Sequence, residues 1–133
     1  FTADIYKIVE LLDMQSDLQI VDVKDYIQSP KDNGYKSLHV HIEYPVFLSS
    51  GKVPVRVEIQ LRTIAMDFWA SIEHKIYYKY REDAPEAIQE RLKECADMIS
   101  QLDNQMYMLK EEIHRLDPTP KHQKGLGHFK SDN

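Results

Sequence analysis

The chain has 133 residues, of which 42% are hydrophobic and 29% charged, a composition typical of one globular domain. Its net charge of −5 argues against a general nucleic-acid-binding surface, because such surfaces accumulate lysine and arginine. The single cysteine, Cys95, excludes an intrachain disulfide and a thiolate metal cluster. No apolar run approaches the roughly 20 residues that cross a bilayer. We therefore expect a cytoplasmic protein with one hydrophobic core and no membrane segment.

The N-terminal part predicts a helix, a strand and a loop. Apolar residues recur at helical spacing over 5–12, after Thr2 as a candidate N-cap. β-branched residues are then frequent over 18–23, which predicts a strand. The Asn33-Gly34 pair is a strong turn signal, so residues 29–34 are expected to form a loop.

Two strands with strict alternation follow this loop. Apolar side chains occupy every second position over 36–44, and again over 53–62 after a polar turn. We expect an antiparallel hairpin whose apolar faces bury the same core. The polar faces then coincide, which places six side chains on one surface: His39, His41, Glu43, Arg56, Glu58 and Gln60.

A helical period begins after the hairpin, over 63–80. Its apolar stripe consists of Ile64, Phe68, Ile72 and Ile76, with Ala65 and Trp69 beside it. Thr63 is the candidate N-cap, and the first amides of the helix should open toward the polar surface of the hairpin. Asp83-Ala84-Pro85 predicts the end of this helix.

The last long element carries a heptad pattern. From Ile88 to Leu116 apolar residues alternate four and three apart, which predicts a helix with a seam that needs a partner helix. That partner is supplied either by the same domain or by another subunit. Prolines then end the helix, and residues 121–133 carry too little apolar surface to fold alone.

The polar surface carries residue types that suit a nucleotide. Tyr35 follows the turn, where its ring can stack on a base; packing is the alternative. Glu58 lies on a rigid strand, where a carboxylate can bind a metal ion or accept a proton, or can form a salt bridge with Arg56 or with a lysine of the partner strand. The cations around Tyr35 suit phosphates, or form a solvated basic loop: Lys24, Lys31, Lys36 and His39.

Three motifs follow one another along the chain. They are Asp25-Tyr26-Ile27 with Pro30-Lys31-Asp32-Asn33-Gly34-Tyr35-Lys36-Ser37-Leu38-His39, then Val57-Glu58-Ile59-Gln60-Leu61-Arg62-Thr63, and then Met66-Asp67-Phe68-Trp69-Ala70-Ser71-Ile72-Glu73-His74-Lys75. Together they resemble the synthetase domain of the RelA/SpoT family, and the third is similar to its small alarmone synthetases. The resemblance implies an α+β fold of the nucleotidyltransferase-like type, with a mixed or antiparallel β-sheet, flanking helices and a long C-terminal helix.

The family transfers pyrophosphate from ATP to the 3′-hydroxyl of GTP or GDP. The resemblance therefore implies a GTP pyrophosphokinase that uses Mg²⁺. Glu58 would be the catalytic residue, as a magnesium ligand or as a base at the 3′-hydroxyl, and Tyr35 would stack on the guanine. Asp67 stands where some relatives have Asn, and it can still accept hydrogen bonds from guanine. The implied GTP/GDP-binding residues are Lys24, Lys31, Tyr35, His39, Gln60, Asp67 and Ala70, with Arg62 as a weaker candidate.

The resemblance also implies how the chain is organised. The family's ATP-binding half, with a second metal-binding aspartate, lies upstream of the region that resembles Phe1, so we expect this chain to be inactive alone. Residues 1–82 would be the acceptor-nucleotide half, 83–117 a helical segment for homo-oligomerisation, such as a tetramer, and 118–133 a polar tail. The alternative is a non-catalytic guanine-nucleotide-binding or oligomerisation fragment.

Overall fold

The computed structural model describes residues 1–116, which form one three-stranded sheet and three helices. In chain order the elements are α1 (Thr2–Asp13), β1 (Gln19–Asp25), β2 (Leu38–Leu48), β3 (Gly51–Leu61), α2 (Ile64–Tyr80) and α3 (Glu86–Leu116). The predicted α+β class with a long C-terminal helix is confirmed. The predicted polar tail lies outside the described residues. Within residues 1–116, none of the helices has the length and apolar character to span a membrane.

The strands are antiparallel in the order β1-β2-β3. The predicted hairpin is β2 and β3, and its register pairs His39 with Gln60 and His41 with Glu58. The polar faces of the two strands therefore coincide as the alternation predicts. Strand β2 continues beyond the predicted end to Leu48, so that Leu48 pairs with Gly51 across the turn.

Strand β1 contains an irregularity at Val21. Ile20 pairs with Ile42, yet Asp22 pairs with His41, the very next residue back along β2. One extra residue on β1 is the signature of a β-bulge, which turns the following side chains to the opposite face. Asp22 consequently joins the polar face of the sheet, whereas a regular ladder would direct it to the core face.

The core lies under one half of the sheet. Its buried members come from α1, β2 and the start of α2: Ile5, Leu38, Val40, Ile42 and Met66. The prediction that the apolar face of β3 is buried throughout is wrong, because Val53, Val55 and Val57 are 39%, 40% and 42% exposed. Only Ile59 and Leu61 pack against the core, since the described helices cover only that end of the sheet.

Two helix starts were predicted from caps. Helix α1 begins at Thr2, so its N-cap is Phe1 and not Thr2; the Asp4 carboxylate accepts a hydrogen bond from the Phe1 nitrogen. Helix α2 begins as predicted after Thr63, whose hydroxyl accepts a hydrogen bond from the Met66 amide at 3.2 Å. The Thr63 side chain thus pairs one of the amides that helical hydrogen bonds leave free.

The buried face of α2 differs from the predicted stripe. Ile64 and Phe68 are 91% and 65% exposed, whereas Met66 and Trp69 are buried. The reason is tertiary: Met66 packs in the core, and the Trp69 indole N–H donates a hydrogen bond to the Leu92 carbonyl of α3 at 2.8 Å. Helix α2 is turned so that the Trp69 side, beside the predicted stripe, faces its neighbours.

Helix α3 is continuous, and its heptad seam is divided between two environments. Leu92 and Ile99 are half-buried, whereas the most buried residue of the helix is Ala96, which lies outside the seam. The first half of the seam therefore has α2 as its partner helix. Five members of the second half are exposed: Leu102, Met106, Leu109, Ile113 and Leu116.

Candidate active site

The loop before β2 is closed by its own backbone. The Gly34 amide donates to the Lys31 carbonyl at 2.8 Å, and the Lys31 amide donates to the Tyr35 carbonyl at 3.1 Å. The Asn33 side chain accepts a hydrogen bond from the Tyr35 amide at 3.0 Å, an Asx turn. Gly34 has a φ of +96°, a conformation that favours glycine. The chain therefore enters β2 with the direction of Tyr35 fixed.

The Tyr35 ring is anchored at its hydroxyl end. The hydroxyl accepts hydrogen bonds from Ser37 at 2.9 Å and from Arg62 at 3.3 Å, and it lies 3.2 Å from His39 Nε2. The Lys31 ammonium lies over the ring, 5.1 Å from its centroid. The ring is thus held in place and carries a positive charge over its face, an arrangement suited to a base with phosphates attached.

Tyr26 completes an aromatic cluster on the same loop. Its ring meets His39 edge-on with centroids 5.2 Å apart, and Tyr35 with centroids 6.3 Å apart. The Lys31 ammonium also lies 5.0 Å from the Tyr26 ring, so one cation is shared by two aromatic faces. Tyr26 belongs to the first sequence motif but had no predicted role.

Glu58 is held by hydrogen bonds at both carboxylate oxygens. Gln60 Nε2 donates to Oε1 at 2.9 Å, and His41 Nε2 lies 3.0 Å from Oε2. Arg56 instead donates to Glu43 at 3.2 Å. The predicted alternative for Glu58, a salt bridge with Arg56, is therefore wrong: neighbouring positions on the strands supply other partners to each side chain.

The hydrogen bonds from Gln60 and His41 lower the pKa of Glu58 below its ordinary value. Glu58 is consequently an ionised carboxylate at neutral pH. His39 Nδ1 lies 3.4 Å from Glu58 Oε1. Burial lowers the pKa of His39, against the opposing effect of Glu58 and with a smaller contribution from Lys31 in the same direction as burial. His39 is therefore a neutral imidazole at neutral pH, able to donate one hydrogen bond and accept another.

Arg62 connects the two ends of the site. Its guanidinium donates to Gln60 Oε1 at 2.8 Å, which leaves the Gln60 amide nitrogen to face Glu58. It also donates to Asp67 Oδ1 at 3.4 Å, in the first turn of α2. Ala70 follows Asp67 by three residues and so lies on the same side of the helix. Arg62, the weaker candidate from the sequence, thus contacts several residues of the cluster.

Lys24 and Lys36, two of the predicted cations around Tyr35, lie in different parts of the structure. Lys24 is opposite His39 in the register of β1 and β2, so its side chain emerges on the polar face, exposed. Lys36 donates a hydrogen bond to Ser100 of α3 and is directed away from the cluster. The prediction that Lys36 belongs to the cations around Tyr35 is therefore wrong, because its ammonium is bound by Ser100 of α3.

The Glu58 carboxylate is accessible to a cation. Glu58 is ionised and its side chain is 42% exposed, but residues 1–116 contain no cluster of three or more His, Cys, Asp or Glu that could hold a metal. Mg²⁺ is commonly bound by one or two carboxylates together with substrate phosphates. Glu58 fits such a cation as a single ligand, with the phosphates supplying others.

Comparison with known proteins identifies the family. Residues 1–83 match the model described as "Region found in RelA / SpoT proteins". The chain belongs to the RelA/SpoT family. The fold and site described above are therefore those of a RelA/SpoT-family chain, as the three sequence motifs predict.

Similar RelA/SpoT-family proteins come from Bacillus subtilis (strain 168). The chain is 54% identical over 113 residues to GTP pyrophosphokinase YwaC, and 42% identical over 113 residues to GTP pyrophosphokinase YjbM. In each case the match covers 85% of this chain and 54% of the relative. The chain thus spans about half the length of these curated relatives.

Solved structures of small alarmone synthetases share the fold. The crystal structure of small alarmone synthetase 2 from Bacillus subtilis superposes with a TM-score of 0.81 at 54% identity, covering 84% of this chain and 61% of that chain. Small alarmone synthetase 1 from Bacillus subtilis, bound to its product pppGpp, gives a TM-score of 0.80 at 42% identity, covering 85% and 58%. The predicted fold class is confirmed at the level of the tertiary structure.

Proposed function

We propose that this chain is the acceptor-nucleotide part of a GTP pyrophosphokinase, which transfers pyrophosphate from ATP to the 3′-hydroxyl of GTP or GDP. The likeness to YwaC and to the pppGpp-bound synthetase supports this proposal. The observation that carries it is Glu58, an ionised carboxylate fixed at both oxygens and adjoining the Tyr35–His39 cluster. In this assignment residues 1–82 hold the acceptor nucleotide, and 83–117 serve assembly.

The acceptor nucleotide would lie over the turn and the polar face of the sheet. Its guanine stacks on Tyr35, where stacking of a base contributes roughly 1–3 kcal/mol. Lys24, Lys31 and His39 approach its phosphates. Asp67 accepts hydrogen bonds from the guanine edge, and Ala70, three residues further along α2, leaves room for the base.

Glu58 would act at the reacting hydroxyl. The 3′-oxygen forms a bond to the β-phosphorus of ATP, the bond from that phosphorus to the α–β bridging oxygen breaks, and AMP leaves. Glu58 accepts the hydroxyl proton or ligates Mg²⁺, and Gln60 holds its carboxylate in place. Bound Mg²⁺ neutralises phosphate charge, and the described residues offer it Glu58 as one ligand.

The test is alarmone synthesis by the full-length protein, with ATP and either GTP or GDP. Glu58→Gln keeps the size of the side chain but removes its charge and replaces one acceptor oxygen with an amide donor, and we expect kcat to fall by about 10²–10⁴-fold. Glu43→Gln is the matched control. Glu43 lies on β2, on the same polar face of the sheet as Glu58, but it contacts Arg56. An unchanged rate in Glu58→Gln contradicts the role of Glu58.

A non-catalytic guanine-nucleotide-binding module is the second candidate. It is favoured by the lack, among residues 1–116, of a cluster of three or more His, Cys, Asp or Glu side chains that could hold a metal ion. Calorimetric titration with GTP and with ATP separates the two proposals. Guanine-selective binding that is lost in Tyr35→Ala, together with no turnover by the full-length protein, supports the binding module; turnover excludes it.

We also infer that the exposed half of the α3 seam joins copies of this chain in a homo-oligomer, such as a tetramer. Leu102, Leu109 and Leu116 are 59%, 53% and 78% exposed along one helix, and apolar residues at heptad spacing are typical of helix pairing. Light scattering checks this inference. Leu109→Glu should lower the mass of the particle, whereas Gln105→Glu, on the same helix but outside the seam, should not. Equal masses for Leu109→Glu and the unmodified protein contradict it.

A further inference from the structure

Three side chains form a row across the whole sheet, at right angles to its strands. Asp22 on β1 pairs in register with His41 on β2, and His41 pairs with Glu58 on β3. His41 Nε2 lies 3.0 Å from Glu58 Oε2, and its Nδ1 lies 3.7 Å from Asp22 Oδ2. The proposed function assigns no role to His41 or Asp22.

The β-bulge at Val21 creates this row. Without the extra residue, the pairing of Ile20 with Ile42 would place Val21 opposite His41 and would direct Asp22 to the core face. Bulges are common next to active sites, where they redirect a side chain. Here the bulge places a carboxylate behind the one imidazole that touches Glu58 Oε2.

The hydrogen-bond chemistry sets the direction of the His41 ring. Glu58 is ionised and can only accept, so His41 Nε2 carries the proton and its N–H donates a hydrogen bond to Oε2. Among the described residues, Nδ1 is buried and has no hydrogen-bond partner, and Asp22 is the nearest acidic group to it. The ring is thus hydrogen-bonded to one carboxylate, Glu58, and Asp22 lies on its other side without a hydrogen bond to it.

The two oxygens of Glu58 are held from different sides. Gln60 fixes Oε1, which also faces His39, whereas His41 alone fixes Oε2. A carboxylate restrained at one oxygen can still rotate about its last bond. The contact with His41 removes that freedom, and orientation of this kind is what a group acting on a reacting hydroxyl requires.

We propose that His41 is a positioning residue of the pyrophosphate transfer: it donates a hydrogen bond that fixes the orientation of the Glu58 carboxylate. This inference rests on the proposed function. Carboxylate–histidine pairs in which an outer group orients an inner one are common around reactive sites. A plain cross-strand contact that only stabilises the sheet is the competing explanation.

Three substitutions of His41 in the full-length protein separate these explanations. In His41→Gln the amide nitrogen can occupy the position of Nε2, whereas in His41→Asn it can reach only the position of Nδ1, and His41→Leu has no donor. We expect kcat to fall about tenfold in His41→Leu and His41→Asn, the loss of one hydrogen bond to a charged group, and to be largely retained in His41→Gln. The KM for GTP should change less than about twofold in all three, because His41 is not among the residues proposed to contact the acceptor.

Controls cover folding and binding. His74→Leu removes an exposed histidine of α2 outside the site and should leave kcat unchanged. Thermal unfolding of each variant, and calorimetric binding of GTP without a divalent cation, should match the unmodified protein. Asp22→Asn should lower kcat less than His41→Leu, because Asp22 makes no hydrogen bond to the ring and the bond from His41 to Glu58 remains.

The outcomes are distinct. An unchanged kcat in His41→Leu overturns this inference, and so does an equal loss in His41→Leu and His41→Gln, because the donor at Nε2 would then be irrelevant. A rise in the KM for GTP at constant kcat also overturns it, since His41 would then contribute to binding. If the unmodified protein makes no alarmone, the proposed function itself fails. This result concerns the unmodified protein alone, so it is distinct from every outcome in the His41 variants.

Discussion

The contact between the turn and α3 yields a quantitative prediction at Gly34. This glycine has a φ of +96°, and a Cβ built on it would lie 2.9 Å from the Ala96 Cβ of α3. The Trp69 ring and the Lys93 backbone are 3.5 and 3.6 Å away, so the space is closed on three sides. Gly34→Ala therefore adds a methyl group where neither the backbone nor its neighbours can yield easily.

Two costs add in Gly34→Ala. A side chain at positive φ costs about 1–2 kcal/mol, and overpacking of a close contact costs about 1–3 kcal/mol. Gly51→Ala is the matched control, because Gly51 also has a positive φ, +123°, but has nothing within 4 Å of a built Cβ. The difference between the two substitutions isolates the clash, and we expect it to be about 1–3 kcal/mol.

Urea unfolding followed by the fluorescence of Trp69, the one tryptophan of the chain, measures both variants. Gly34→Ala should lower the free energy of unfolding more than Gly51→Ala does. Ala96→Gly alone should cost up to about 1 kcal/mol because it places glycine inside a helix, but the double variant Gly34→Ala/Ala96→Gly should lose less than the sum of the two single losses, since the two residues are in contact. Equal losses at Gly34 and Gly51, or strictly additive losses in the double variant, refute the close packing of the turn against α3.

Further predictions concern the groups around this core. Tyr6→Phe removes a 2.8 Å hydrogen bond to Asp25 and should destabilise the chain by about 1 kcal/mol. Burial and this bond raise the pKa of Tyr6 from 10.0 to about 12, so its contribution is complete below pH 10 and should vanish as the pH rises to 12, as urea unfolding across that range checks. Trp69→Phe loses the indole donor to α3 and should lower the free energy of unfolding by about 1–2 kcal/mol, as unfolding followed by circular dichroism checks. In NMR titrations His39 should titrate below its ordinary pKa, and Lys31→Ala should raise that pKa by removing a neighbouring cation; no change on this substitution contradicts the assigned contact.

The polar face of the hairpin could be predicted from sequence because side chains alternate with a period of two. Once β2 and β3 were paired through their apolar faces, His39, His41, Glu58 and Gln60 had to share a surface. Which of them would touch was beyond the pattern. Glu58 bonds to His41 and Gln60, whereas Arg56 bonds to Glu43. These partners depend on local register and on the reach of each side chain, which the alternation of the sequence does not specify.

The orientation of α2 could not be predicted, because apolar residues occur on most sides of this helix. A stripe through Ile64 and Phe68 fits a helical period as well as one through Met66 and Trp69. Which stripe of α2 is buried depends on α3, because the Leu92 carbonyl of α3 accepts a hydrogen bond from the Trp69 indole N–H. Periodicity identifies a helix, but its buried face depends on the partner.

Strand β1 shows a different limit. Nothing in residues 18–23 signals that one of them is extra, so the alternation assigns Asp22 to the wrong face. The bulge depends on the register of two strands that are more than ten residues apart in the chain. The β-bulge, which completes the Asp22–His41–Glu58 row, therefore cannot be predicted from the pattern of one strand.

Helix α3 lies beyond residues 1–83, the part that matches the family model, yet it forms one wall of the turn that bears Tyr35. Ala96 meets Gly34, and Ser100 accepts a hydrogen bond from Lys36, on the two sides of Tyr35 in the chain. Because packed contacts of this kind resist compression, a displacement of α3 must be absorbed by the turn or by the helix itself. The proposed acceptor site and the proposed assembly helix are thus mechanically connected, and a small residue at position 96 is what permits their contact.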